Sequence, residues 1–482
     1  MEALAKVNWM FLVPELIILT AAVLLLVIDL LLKPNASRYY FGLFALISLL
    51  WSGIYLGWLF DKLDRILGDT YLIDSFSVTV KILLLIGVGF VICISLAINR
   101  KDFEEVEGEY YALLLFATLG GMVVASSADL ITLFVGIELL SLSSYVLVGL
   151  RRREPSGVEA AWKYVVMGSV ASAFILYGMS FLYGFTGSTN LFAIKNQILQ
   201  APQSGYILYV YLALFFIMFG FGFKVASAPF HTWAPDIYQG AYTSITSFIA
   251  TVSKIAVLTL VFRFFIGEWH AFVQPLLLTL ASVSMIVGNT VALVQTNVKR
   301  LMAYSGIAQV GYLLVPLAVF GNMFIESVVY YLVAYLFMTM GAFAILFLVT
   351  EEMNSDELSA FAGLSQRSPL LALLMSIFLI SLAGFPITAG FLGKFYILMD
   401  ALHTSTKYSW VVAIMIITTI VSYFYYFRLI RQMYLRTSDQ QKAFRVPWSI
   451  GLVVLISFIG TVGLAVMPHW ALDLFSQIRL LV

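Results

Sequence analysis

Four ionisable side chains stand where the sequence is otherwise apolar. Glu138 lies in Leu-Phe-Val-Gly-Ile-Glu-Leu-Leu-Ser, Lys224 in Gly-Phe-Gly-Phe-Lys-Val-Ala, Lys254 in Val-Ser-Lys-Ile-Ala and Lys394 in Gly-Phe-Leu-Gly-Lys-Phe-Tyr. A charge in hydrocarbon costs at least about 2.5 kcal/mol even on a lenient insertion scale. Desolvation disfavours the charged form of each group, and an opposite charge nearby restores it. A lysine whose carboxylate partner approaches and withdraws therefore takes up and releases a proton. Glu138 and Lys224 are the candidate pair, and Lys254 and Lys394 extend the relay. His231, in Ala-Pro-Phe-His-Thr-Trp, titrates near neutrality and reads either as a relay member or as a loop histidine. Glu159 and Lys163, four residues apart, read either as a feed to the path or as a surface ion pair worth a few tenths of a kcal/mol. The static alternative for all of them is fixed pairing, or a lysine stem that carries its amine to the membrane interface.

The elements that must hold these groups are membrane helices. Of 482 residues, 62% are hydrophobic and 11% charged, with a mean hydropathy of +0.98, whereas soluble domains carry about 25% charged residues. A hydrocarbon core about 30 Å thick takes roughly 20 apolar residues per helix, and such runs recur without the period-two alternation of barrel strands. Apolar runs predict an all-α polytopic membrane protein of fourteen spans, near 9–32, 39–60, 76–99, 110–127, 130–150, 160–185, 206–230, 240–262, 272–295, 301–320, 326–350, 368–402, 408–430 and 447–470. The first run is too long for a signal-peptide core and is read as a retained helix. A net charge of +1 gives no field for nucleic acid. One cysteine, Cys93, excludes a disulfide framework. The chain shows no His/Cys/carboxylate cluster with metal-ligand spacing, so no metal is expected, and no phosphate-binding glycine loop.

Two spans carry helix breakers in mid-membrane, at Ala228-Pro229 and at Gly384-Phe385-Pro386. Proline removes a backbone donor, and in lipid the freed groups survive only against protein or a water-filled cavity. The breaks fall on spans seven and twelve, which predicts two discontinuous helices and two five-helix repeats, spans 4–8 and 9–13. An odd number of helices per repeat inverts one copy against the other; two unrelated kinks are the plainer reading. The expected segments are 1–105, 106–265 (first repeat), 266–435 (second repeat) and 436–482. Fifteen Lys and Arg residues fall in loops on one side and seven on the other, which by the positive-inside rule places both termini outside.

These residues resemble the antiporter-like membrane subunits of proton-pumping NADH:quinone oxidoreductase, respiratory complex I. The matching segments are Gly136-Ile137-Glu138-Leu139, Phe223-Lys224 with Ser227 through Asp236, Ser253-Lys254, Ala303-Tyr304-Ser305 with Gln309 and Gly311, and Gly384-Phe385-Pro386 through Gly393-Lys394-Phe395-Tyr396. The resemblance implies fourteen helices, two inverted half-channels and a central hydrophilic axis, with the proton path on Glu138, Lys224, Lys254 and Lys394. Length, Lys394 and the string Gly384 to Phe391 are similar to the N-type members rather than the M or L types. It further implies a bacterial plasma membrane location and no cofactor in this chain, with flavin, iron–sulfur clusters and quinone in partner subunits. The implied neighbours are the M and L subunits and small hydrophobic subunits, in a lipid bilayer. The D-type subunit of multi-subunit sodium/proton antiporters is the alternative.

Overall fold

A computed structural model describes residues 8–32, 39–98, 103, 106–200, 205–267, 270–437 and 445–481. Six of the Lys and Arg residues counted for orientation, Lys6, Lys33, Arg38, Arg100, Lys101 and Lys442, lie outside the described residues. Among the described residues, thirteen helices are long and apolar enough to cross a membrane. The region expected as span twelve is two shorter helices in succession. In chain order the main helices are α1 (Val13–Leu31), α2 (Tyr39–Leu59), α3 (Ser75–Ser95), α4 (Glu107–Ser126), α5 (Leu130–Gly149), α6 (Pro155–Thr186), α7 (Leu191–Ile198), α8 (Ile207–Lys224) and α9 (Trp233–Gly240). They continue with α10 (Thr243–Phe265), α11 (Phe272–Ala292) and α12 (Val298–Val319). The last are α13 (Phe324–Met353), α14 (Pro369–Ala383), α15 (Ala389–Thr404), α16 (Ser409–Leu435), α17 (Trp448–Val466) and α18 (Pro468–Ser476).

Both expected discontinuities are present, and they fall where backbone chemistry dictates. The first comes earlier than the proline: α8 stops at Lys224, Ala226 takes a positive φ of 59°, and Ser227 N–H bonds back to Gly222 C=O at 2.8 Å. The second lies between Ala383 and Ala389, with Gly384 at φ 79° as the C-terminal cap of α14. The helix expected near 160–185 ends close to its expected bound. It stops at Thr186 because Gly187, at φ 64°, closes α6. Asn190 then caps the short helix α7, whose buried Leu191, Ile194 and Ile198 recur at helical spacing.

Burial is uneven. The most hydrophobic window of α10 is entirely buried, and those of α12 and α13 are 94% buried, whereas α1, α2, α6 and α16 bury 39%. The first three form the centre of the bundle; the others present apolar side chains outward. Close packing at the centre uses small residues: a Cβ on Gly120 would lie 2.5 Å from the backbone nitrogen of Leu140, and one on Gly288 2.6 Å from that of Ala308. Such contacts are how membrane helices gain dispersion energy without a hydrophobic driving force between them.

A two-stranded hairpin, β1 (Asp64–Ile66) with β2 (Tyr71–Ile73), precedes α3. Its strands are too short to print a period in the sequence. Tyr71 donates to Glu15 at 2.7 Å, and Lys81 pairs with the same carboxylate at 2.7 Å. Glu15 sits in the first turn of α1, and its main tie is this buried pair. Asp74 caps α3, receives N–H bonds from Ser77 at 2.7 Å and Leu481 at 3.0 Å, and pairs with Arg263 of α10 at 2.9 Å. The start of α1, the hairpin and the C-terminal tail thus meet at one end of the bundle, here the termini end.

Asp74 lies just outside its membrane helix. Burial pushes its carboxyl up, but the Arg263 guanidinium and the two N–H groups outweigh burial and hold its pKa below the ordinary carboxylate value. The stability it contributes is therefore present above the unfolded value of about 3.9 and is lost as pH falls through the lower folded value. Asp74→Asn leaves Arg263 buried without its counter-charge, and breaking such a pair costs about 3–5 kcal/mol. Thermal unfolding in detergent should show that loss, with the tail beyond residue 476 becoming the first site of limited proteolysis; an unchanged midpoint contradicts the clamp.

Candidate functional site: buried cations at the helix breaks

Lys224 is the last residue of α8, so its side chain leaves the helix where the backbone turns away. Its amine lies 3.3 Å from Glu138 of α5 and donates to Ser141 at 2.7 Å and Tyr145 at 3.1 Å. Ser172 of α6 donates to the same Glu138 oxygen at 2.5 Å. The pair predicted from sequence is therefore formed, and three helices hold it. Glu138 is less enclosed than its place in an apolar run suggested: its side chain keeps 19% of its surface, against 5% for Lys224. It stands at the rim of the bundle. The break is held shut by Trp233 of α9, whose Nε1 donates to Phe223 C=O at 2.9 Å, and by Ser284 of α11, which accepts from Ala228 N–H at 2.9 Å.

Glu159 and Lys163 form the expected ion pair at 2.7 Å on α6, but the chain of charge does not stop there. Lys163 also pairs with Asp236 of α9 at 2.7 Å, and Asp236 with Arg300 of α12 at 2.7 Å. The row Glu159–Lys163–Asp236–Arg300 leads from the surface to the short helix beyond the first break. Sequence reasoning passed over Asp236 and Arg300. Asp236 sits within the matched string Ser227 to Asp236, and an acid inside it was the signal available.

Lys254 is differently placed. It follows a π-helical turn, Ile249–Ser253, a local widening that often marks functional sites. Tyr335 of α13 donates to Ala250 C=O at 2.7 Å, satisfying a carbonyl of that turn. Among the described residues the Lys254 amine has no hydrogen-bond partner, and the Tyr238 ring centroid is 5.8 Å away. A Cβ on Gly306 would stand 2.5 Å from that amine, so glycine here lets the cation lie against α12.

Lys394, on α15, reaches back across the second break. It donates to Leu382 C=O at 3.3 Å and Ala383 C=O at 3.2 Å, carbonyls that the end of α14 leaves without helical partners. A cation at a helix C-terminus also meets the negative end of the macrodipole. The Tyr312 ring centroid is 4.4 Å from the amine. Gln309 of α12 donates to Leu382 C=O at 3.1 Å and accepts from Tyr331 of α13, and Ser305 hydrogen-bonds Tyr426. These polar side chains line the ground between Lys254 and Lys394.

His231 is half-buried beside the first break, edge-on to Tyr304 at 6.0 Å. Among the described residues no hydrogen bond or ion pair joins it to Lys224 or Lys254. The geometry thus assembles Glu138 with Lys224, and Glu159 with Lys163, while Lys254, Lys394 and His231 stand apart from the other candidates. Chemically this is a set of proton donors and acceptors at and between two helix breaks, around a fully buried helix.

The family model for the NADH:quinone oxidoreductase/Mrp antiporter membrane region matches residues 127–422. A curated relative from Brevibacillus brevis, NADH-quinone oxidoreductase subunit N, is 45% identical across 97% of this chain and 94% of its own length. Among solved structures, a chain of respiratory complex I from Thermus thermophilus is 31% identical, with a TM-score of 0.81 over 95% of this chain and 98% of that one. A chain of the Mrp complex from Dietzia shares the fold, with a TM-score of 0.84 at 19% identity over 97% and 96% of the two chains.

Gly306→Ala supplies a test of the Lys254 geometry. In an ordinary helix interior the exchange stabilises by roughly 0.5–1 kcal/mol; here the new methyl displaces a buried cation. We expect Gly306→Ala to destabilise the protein with Lys254 present and to be neutral or stabilising in a Lys254→Ala background, a coupling of about 0.5–3 kcal/mol in thermal or denaturant unfolding. Additive effects contradict the contact.

Proposed function

The chain belongs to the NADH-quinone oxidoreductase subunit N family, and from that premise we propose that it moves protons across the membrane through its buried cations. In this reading it is a proton-translocating membrane subunit of the oxidoreductase complex. Electrons pass from NADH to quinone through flavin and iron–sulfur centres on partner subunits, while this chain holds no redox cofactor. It resides in a bacterial plasma membrane with both termini outside, beside the M and L subunits and small hydrophobic subunits of the complex.

The observation that carries the proposal is the Lys224–Glu138 pair at the first break, 3.3 Å apart. A partner redox step that draws the carboxylate away raises the cost of the Lys224 charge, and the amine releases its proton; return of the carboxylate reloads it. Lys254 then serves as the central station and Lys394 as the far one, with His231 a secondary member and Glu159 and Lys163 feeding the path. Support for the inverted repeat comes from packing: α4 lies on α5 and α6 on α8, while α11 lies on α12 and α13 on α14 and α15. Fourteen crossings follow if α14 and α15 together form one.

The second reading, a D-type sodium/proton antiporter subunit, is favoured by one observation, the fold shared with the Mrp chain. That likeness is at 19% identity and extends to fold alone.

Without either partner the pair cannot load and release a proton as proposed. Lys224→Ala and Glu138→Ala should therefore each reduce NADH-driven proton pumping in inverted vesicles to less than about a tenth, with the complex still assembled. Joint Lys254 and Lys394 substitution should do the same. Undiminished pumping in an assembled complex ends the relay assignment, and pH changes driven by sodium without NADH favour the antiporter reading.

A further inference from the structure

At the termini end, α3, α13, α17 and α18 leave an apolar groove of about 550 Å³ between them, within the roughly 300–1,000 Å³ of sites that enclose a small molecule. Ile82, Ile86, Phe337, Gly463, Leu474 and Ile478 are among its walls. Along α17 it runs from Ile459 to Met467, about 12 Å at the helical rise, close to the roughly 15 Å depth of one leaflet's hydrocarbon. The exposed indole of Trp470 stands at its mouth, the residue type that settles at membrane interfaces.

A second, polar cleft of about 550 Å³ continues from it, sharing Phe60 and lined by Asp61, Ser476, Gln477 and Arg479. The two are built from one segment: Phe475 and Ile478 face the apolar groove while Ser476, Gln477 and Arg479 face the polar cleft. Among the described residues neither Asp61 nor Arg479 makes an ion pair through its side chain. The cleft therefore offers a guanidinium to an anion and a carboxylate to a cation, at the end of a channel of acyl-chain depth. We propose that this groove binds a diacyl phospholipid whose headgroup carries both phosphate and ammonium, with phosphate on Arg479, ammonium near Asp61 and an acyl chain along α17. A partner helix fits the apolar half alone and leaves both charges without a counterpart.

Gly463 makes the groove testable. A Cβ there meets nothing within 4 Å, so Gly463→Trp starts its side chain in open space and fills the groove, and Gly463→Ala is the control. The probes are phosphatidylethanolamine and phosphatidylglycerol with a diazirine on the acyl chain, added to membranes containing the assembled complex. Phosphatidylethanolamine should crosslink to residues 79–86 and 459–478, Gly463→Ala should retain this labelling, and Gly463→Trp should lower it about tenfold, the equivalent of about 1.4 kcal/mol. Arg479→Gln should lower labelling by both lipids, and Asp61→Asn should lower it for phosphatidylethanolamine only. Labelling of Gly463→Trp at the native level, equal labelling by the two lipids in the native chain, or crosslinks from the groove to a neighbouring polypeptide each overturn the proposal.

Discussion

Hydrocarbon offers no hydrogen bonds, so every backbone group that a broken helix frees inside a membrane must find its partner in protein or trapped water. Both breaks of this chain obey that constraint with side chains from elsewhere in the bundle. Trp233 and Ser284 serve the first. At the second, Lys394 and Gln309 donate to Leu382 C=O, while Ser422 of α16 donates to Ala383 C=O at 3.2 Å. The breaks thereby draw polar and charged groups to the centre of an apolar fold. Lys224 and Lys394 are placed by the breaks, and the second break in turn depends on the Lys394 cation.

The three lysines illustrate three ways to keep an ammonium out of water. Lys224 has a carboxylate and two hydroxyls. Lys394 has helix-end carbonyls and the face of Tyr312. Lys254 has only the Tyr238 ring and a glycine surface nearby, so the free energy of its charge is the most sensitive to any change in its surroundings. The least compensated of the three cations thus lies on the most buried helix.

The first three spans bear none of the relay candidates, yet they are bolted to the helix that carries Lys254. Asp74 joins the start of α3, the C-terminal tail and Arg263, and Arg263 and Lys254 both belong to α10. The buried Glu15–Lys81 pair locks α1 to α3 beside it. A buried ion pair adds little net stability against an apolar alternative; here it fixes register between helices whose apolar surfaces are otherwise interchangeable.

Membrane embedding, the two helix breaks and the four ionisable residues within the apolar runs were legible in the sequence, because each is a local departure from a long apolar background. A lysine among leucines and a Gly-Phe-Pro in a spanning run need no partner to be noticed. Partnership itself was not legible. Asp236 meets Lys163 and Arg300, Asp74 meets Arg263, and Glu15 meets Lys81 across large separations in the chain, and no local pattern marks one charge as another's neighbour. The partly exposed position of Glu138 and the isolation of Lys254 were equally hidden, since hydropathy counts residues along the chain whereas burial is decided by which helix faces which. The sequence by itself determined that charge would lie in the membrane. Only the packed structure decided which charges are paired, because pairing is a property of distances between helices and not of order along them.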